Sequence, residues 1–193
     1  MTPFLYVSHP QVQVDPQVPV PQWGLSDLGR ARAMAFARRP LVRGYGRIVS
    51  SDEVKAQETA AILAQALGLP VEVHPDLHEN DRSATGFLPE AEFQAVATEF
   101  FAHPTLSIRG WETAADAQAR IIAAVRSALD LAPQTPTVFV GHGGVGTLLL
   151  CALAGYPVSR VHDQPPVGGG CWYAQSLEQA PDRWRAMEED PAP

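Results

Sequence analysis

Apolar residues along this chain fall into short continuous runs separated by longer stretches with helical spacing. Phe4-Leu5-Tyr6-Val7 and Thr137-Val138-Phe139-Val140 are the two strongest runs. Both read as strands of a parallel sheet covered on both faces. Arg47 to Ser50, Val71 to Val73 and Cys171 to Gln175 read as three more short strands. Between them the period changes. Ser26 is placed to cap a helix to about Arg38, with Ala31, Ala35 and Phe36 inward. Ser50 and Glu53 have capping-box spacing, opening a helix to Leu67 with Gly68 as its stop. Its apolar stripe is Ala56, Ala60, Leu63 and Leu67.

The second half repeats the alternation. Pro89 suits the first turn of a helix ending near Ala102. Thr113 and Asp116 repeat the capping-box spacing before a helix to about Leu131, whose inner face is Ile121, Ala124, Val125 and Ala128. Gly144 to Ala154 is apolar enough to be a buried helix. Strands alternating with helices predict a three-layer α/β/α sandwich with a mostly parallel sheet. Right-handed crossovers put helices on both faces. We expect one domain over 1–193, with a small helical cap or insertion at about 80–111. Phe87, Phe93, Phe100, Phe101 and Trp111 fall in that insertion and read as the core of a cap helix rather than a lid.

Composition narrows the class. With 46% hydrophobic residues, 193 residues can bury a full core. A net charge of -7 argues against nucleic-acid binding, which needs a basic face. No apolar run approaches a membrane span, and Met1-Thr2-Pro3 does not begin a signal peptide. Cys151 and Cys171 read as core thiols, and a cytoplasmic location is expected. The 18 prolines gather in Pro10 to Pro21, around Pro133 to Pro136, at Pro165-Pro166 and at the tail, marking loops and element ends.

The candidate chemistry lies at two strand ends. The first strand leads into Ser8-His9-Pro10, and the later one into Gly141-His142-Gly143-Gly144. Open α/β sheets bind ligands at their strands' carboxyl edge, so both imidazoles should arrive at one place. His74, Asp76, His78 and Glu79 suggest a competing class, a metal-dependent hydrolase. A proline inside that segment removes the helical spacing such ligands favour.

Further blocks follow in a recognisable order. Leu25-Ser26-Asp27-Leu28-Gly29 opens a helix. Ser50-Ser51, Lys55-Ala56 and Thr59-Ala60 follow a strand. Leu77-His78-Glu79 comes next, and then the His142 block. Over residues 4–155 the chain resembles the histidine phosphatase superfamily, also called phosphoglycerate mutase-like. The resemblance implies a phosphatase working through a phosphohistidine intermediate on His9, without metal or other cofactor. It implies His142 as a donor to the phosphoryl oxygens and Glu79 as the general acid. It implies Lys55 as a phosphate contact, and Ser8, Gly143 and Arg82 are the further candidates for phosphate binding. The implied substrate is a phosphorylated small molecule or phosphoprotein. A mutase is less expected, because Arg82 to Gly110 carries only Arg82 and Arg109 as fixed cations.

This chain also departs from the family pattern. Ser8 stands where the family has an arginine, and Pro10 where it has a glycine. Lys55 replaces a second arginine, losing its bidentate fork. Asp15 adds a negative charge where many members carry asparagine. Fewer cations should leave His9 easier to protonate, which predicts a more alkaline working range. A pseudoenzyme that binds phosphate or a phosphorylated ligand is the alternative. Arg82 or Arg109 is placed to fill the gap at Ser8, with Arg82 favoured by its nearness to Glu79. Ser50 and Ser51 read as capping residues.

Overall fold

A computed structural model describes residues 2–176 and 178–190; the tail prolines Pro191 and Pro193 lie outside these. Strands β1 (Phe4–Ser8), β2 (Arg47–Ser50), β3 (Val71–Val73), β4 (Thr137–Gly141), β5 (Cys171–Gln175) and β6 (Arg185–Ala186) form one sheet. Its order is β3-β2-β4-β1-β5-β6. β1 through β4 run parallel, β5 pairs antiparallel with β1, and β6 at the edge pairs antiparallel with β5. β1 and β4 are buried at every position, as their continuous apolar runs require.

Helices α1 (Asp27–Ala37) and α2 (Val54–Leu67) cover one face. They pack on Leu5, Val7, Ile48, Val138 and Val140. Helices α4 (Ala114–Leu131) and α5 (Gly143–Ala154) cover the other, over Phe4, Tyr6, Val49 and Phe139. Successive residues of β1 therefore feed opposite cores, the period-two rule of a strand. The result is the expected α/β/α sandwich. Helix α3 (Glu90–Ala102) lies in the segment between β3 and α4. Val96, Phe100, Phe101 and Trp111 join the α4–α5 core, while Phe87 remains 38% exposed.

Three local expectations change. α1 buries Gly29, Ala33, Phe36 and Ala37, leaving Ala31 and Ala35 exposed. Alanine is too small to mark a face, and the close seat of Gly29 on the Gln11 carbonyl sets the helix rotation instead. The Ser50–Glu53 capping box does not form. Ser50 ends β2, and Glu53 is itself the N-cap of α2 without a side-chain cap bond. The Ser26 and Thr113 caps form as read. Ser26 Oγ accepts Gly29 N–H at 3.1 Å, and Thr113 Oγ1 accepts Asp116 N–H at 3.0 Å. β6 has no counterpart in the sequence reading, two residues being too few to show a period.

Candidate active site

The parallel pairing of β1 with β4 sets Ser8 opposite Gly141, so the residues that follow emerge side by side. His9 N–H donates to the Gly141 carbonyl at 3.0 Å. The His9 and His142 rings meet edge to face with centroids 5.3 Å apart. His9 Nδ1 lies 2.9 Å from the Pro10 carbonyl. A carbonyl only accepts, so Nδ1 carries the proton and Nε2 keeps a free lone pair. Burial, reinforced by His142 and Lys55, lowers the His9 pKa to about 3. The shift favours the neutral ring. Burial thus acts on His9 in the same direction as the push assigned to the missing arginine.

His142 is fully buried as the N-cap of α5. Its Nε2 lies 2.8 Å from Ser51 Oγ and 3.4 Å from Glu53 Oε1. Ser51 Oγ also accepts Glu53 N–H at 3.3 Å, so Ser51 links His142 to the start of α2. Burial lowers the His142 pKa, against the pull of the Glu53 and Glu79 carboxylates. His142 Nδ1 is buried without a partner among the described residues. Ser51, read as a capping residue, instead orients His142.

Glu79 sits on the amino end of α5. Its Oε2 accepts Gly144 N–H at 3.0 Å, and its Oε1 accepts Val145 N–H at 2.9 Å and Asn80 N–H at 3.0 Å. Burial works against ionisation. His142, Arg82 and the two α5 N–H groups overcome it and keep the pKa below the ordinary value. The carboxyl is ionised in this state, as helix N-termini favour. This close approach explains the glycines. A Cβ on Gly144 would lie 2.7 Å from Glu79 Oε1, and one on Gly143 would lie 1.9 Å from Gln164 Nε2. The first N–H of α5, on Gly143, has no acceptor among the described residues.

The other phosphate-contact candidates divide. Ser8 is 1% exposed, and its hydroxyl donates to Gln164 Oε1 at 2.6 Å and accepts Cys171 N–H at 3.0 Å. Its bonds hold β5 and the Gln164 loop, so it offers no contact to an anion. Lys55 is 3% exposed, bonded to the Glu53 carboxylate and, at 2.9 Å, to the Val20 carbonyl. Its charge is held by Glu53 and not presented to a cavity. Arg82 lines two cavities beside Glu79 and rests 5.0 Å from the Phe93 ring centre and 5.8 Å from that of Trp111. It has no hydrogen-bond or ion-pair partner among the described residues. Arg109 is ion-paired with exposed Glu92 and lies at neither cavity.

Glu53 was invisible as a site residue. Its carboxylate is 7% exposed and joins Lys55, His142 and, through the Glu79 N–H at 2.9 Å, the Glu79 loop. Nothing in a Ser-Ser-Asp-Glu string distinguishes it from a solvated cap residue. Asn80 was also missed. It is 7% exposed and lines both cavities, and its Nδ2 is buried with no partner among the described residues. His74 and His78 turn to Ser127 Oγ and the Glu79 carbonyl. Among the described residues no three His, Cys, Asp or Glu side chains gather as metal ligands.

Two imidazoles at the carboxyl edge of a mostly parallel α/β sandwich, beside a helix N-terminus, mark a histidine phosphatase-type domain. The chain belongs to the histidine phosphatase superfamily (branch 1), whose sequence model matches residues 11–189. It is 31% identical over 184 residues to glucosyl-3-phosphoglycerate phosphatase of Mycobacterium tuberculosis, covering 83% of this chain and 80% of that one. It is 28% identical over 141 residues to a probable phosphoglycerate mutase of Cronobacter sakazakii, covering 69% and 64%. The solved structure of the mycobacterial phosphatase with inorganic phosphate superposes with a TM-score of 0.76 at 26% identity, over 98% of this chain and 100% of that one. Among the described residues no helix is long and apolar enough to cross a membrane.

Proposed function

We propose that this protein hydrolyses a phosphomonoester through a phosphohistidine on His9, with no metal ion. The observation that carries the reading is His9 itself, with Nδ1 bonded to the Pro10 carbonyl and the ring held neutral by burial. The Nε2 lone pair attacks phosphorus in line with the ester oxygen. As the N–P bond forms and the P–O bond breaks, the imidazole becomes cationic, and its Nδ1–H bond to Pro10 steadies that charge. His142 Nδ1, Gly143 N–H and Arg82 are the donors for the phosphoryl oxygens.

Glu79 protonates the departing alkoxide. It is a carboxylate before substrate arrives, and an adjoining phosphoryl dianion raises its pKa by like-charge repulsion, loading it with a proton. In the second step Glu79 takes a proton from water, the water oxygen attacks phosphorus and the N–P bond breaks. Phosphate leaves, and His9 is neutral again.

The test is chelator-treated protein with p-nitrophenyl phosphate. Turnover that disappears in His9→Ala, with an acid-labile, base-stable phosphoryl label on the wild type, is the expected result. Phosphate or vanadate binding without turnover supports the pseudoenzyme instead, which the pairing of Lys55 with Glu53 favours. Turnover lost to chelator supports the metal-dependent alternative.

A further inference from the structure

The two cavities at the site are unusually poor in free positive charge. The His9 cavity, about 680 Å³, is lined by Glu79, Glu90 and Asp163 against Arg82 and Arg160. The adjoining cavity, about 630 Å³, is lined by Asp52, Glu53, Glu79 and Asp81 against Arg82 alone. Arg160 is already spent. Its guanidinium donates to the Gln94 carbonyl at 3.0 Å, to Thr98 Oγ1 at 2.8 Å and to Gln94 Oε1, and lies 3.7 Å from Asp163. Lys55 is held by Glu53 and lines neither cavity. Arg82 is therefore the one uncommitted cation among the described lining residues, and the proposed chemistry assigns it to the phosphoryl group.

A carboxylate on the alcohol side would be desolvated beside these acids with no cation to meet it. What the walls do offer is apolar surface and the uncharged Asn80 side chain. Phe93, Ala97, Phe100, Phe101 and Trp111 line the His9 cavity, and Asn80 lines both cavities. We infer that the substrate is a phosphomonoester of an uncharged alcohol, and that carboxylated esters such as phosphoglycerates are discriminated against. The inference rests on the phosphatase reading but goes beyond it, and it sets this chain apart from relatives whose names point to phosphoglycerate-derived substrates.

Glycerol 3-phosphate and 3-phosphoglycerate differ at one end, hydroxymethyl against carboxylate, and make a matched pair. The expected kcat/KM ratio favours glycerol 3-phosphate by on the order of 10², about 2.7 kcal/mol at 1.36 kcal/mol per decade. Glu90→Lys, at the exposed rim, should narrow that ratio roughly threefold, a modest effect because rim charges are screened. Equal or faster turnover of 3-phosphoglycerate overturns the inference and leaves the phosphatase reading standing. If neither ester turns over, nor p-nitrophenyl phosphate, the phosphatase reading falls. Calorimetric binding of the two esters to His9→Ala then decides the inference, with tighter glycerol 3-phosphate supporting it and equal or tighter 3-phosphoglycerate overturning it.

Discussion

Glu53→Gln isolates the charge that knits the floor of the site together. The wild-type carboxylate touches Lys55, approaches His142 at 3.4 Å and accepts the Glu79 N–H at 2.9 Å. Burial pushes its pKa up, but His142, Lys55 and the Glu79 N–H outweigh burial and bring it from 4.5 to about 2. At 1.36 kcal/mol per unit this depression is worth about 3 kcal/mol. Breaking a buried pair by removing one partner typically costs about 3–5 kcal/mol, which agrees. The amide keeps the shape but leaves the Lys55 ammonium, 3% exposed, with only the Val20 carbonyl. A loss of about 3 kcal/mol in a chain of this size lowers Tm by about 6–12 °C.

The pH dependence gives that prediction its sign. A carboxylate with a depressed folded pKa stabilises fully above its unfolded value near 4.5, and the contribution fades as pH falls toward 2. Urea unfolding of wild type and Glu53→Gln should therefore differ by about 3 kcal/mol at pH 7, with a gap that shrinks steadily below pH 5. The double variant Glu53→Leu with Lys55→Met should recover most of the loss, because both buried charges go together. A pH 7 difference under about 1 kcal/mol, the size of a surface pair, or a gap unchanged at pH 3, would refute the reasoning.

Three other expectations follow from the site. Restoring the family's arginine by Ser8→Arg should destabilise rather than activate, by about 3 kcal/mol or more, since a side chain that is 1% exposed has no room to grow; a variant with unchanged Tm and higher kcat would contradict this. Arg82→Ala should lower kcat/KM by on the order of 10²–10³, while Arg109→Ala, whose partner Glu92 is exposed, should leave it within about twofold. With His9 neutral down to about pH 3, kcat/KM should not fall between pH 7 and 5 through this group; a loss with an apparent pKa near 6.5, abolished by no other substitution at the site, would contradict its burial.

Much of this protein was determined by local pattern. The apolar runs at Phe4 and Thr137, the helical spacing between them and the Thr113 cap were enough for the sandwich and for two histidines at one edge. Parallel strands put their ends together whatever the loops do, so His9 and His142 could be paired from sequence. Charge pairing could not, because it depends on where side chains meet rather than on their spacing. Only the tertiary structure showed that Glu53 turns inward to hold Lys55, and that Ser8 serves β5 through Cys171 and Gln164 rather than an anion. Only it separated Arg82, free at the cavities, from Arg109, paired away from them. The same packing settled the state of His9. A count of neighbouring cations made it easier to protonate, whereas desolvation, which no sequence spacing records, holds it neutral.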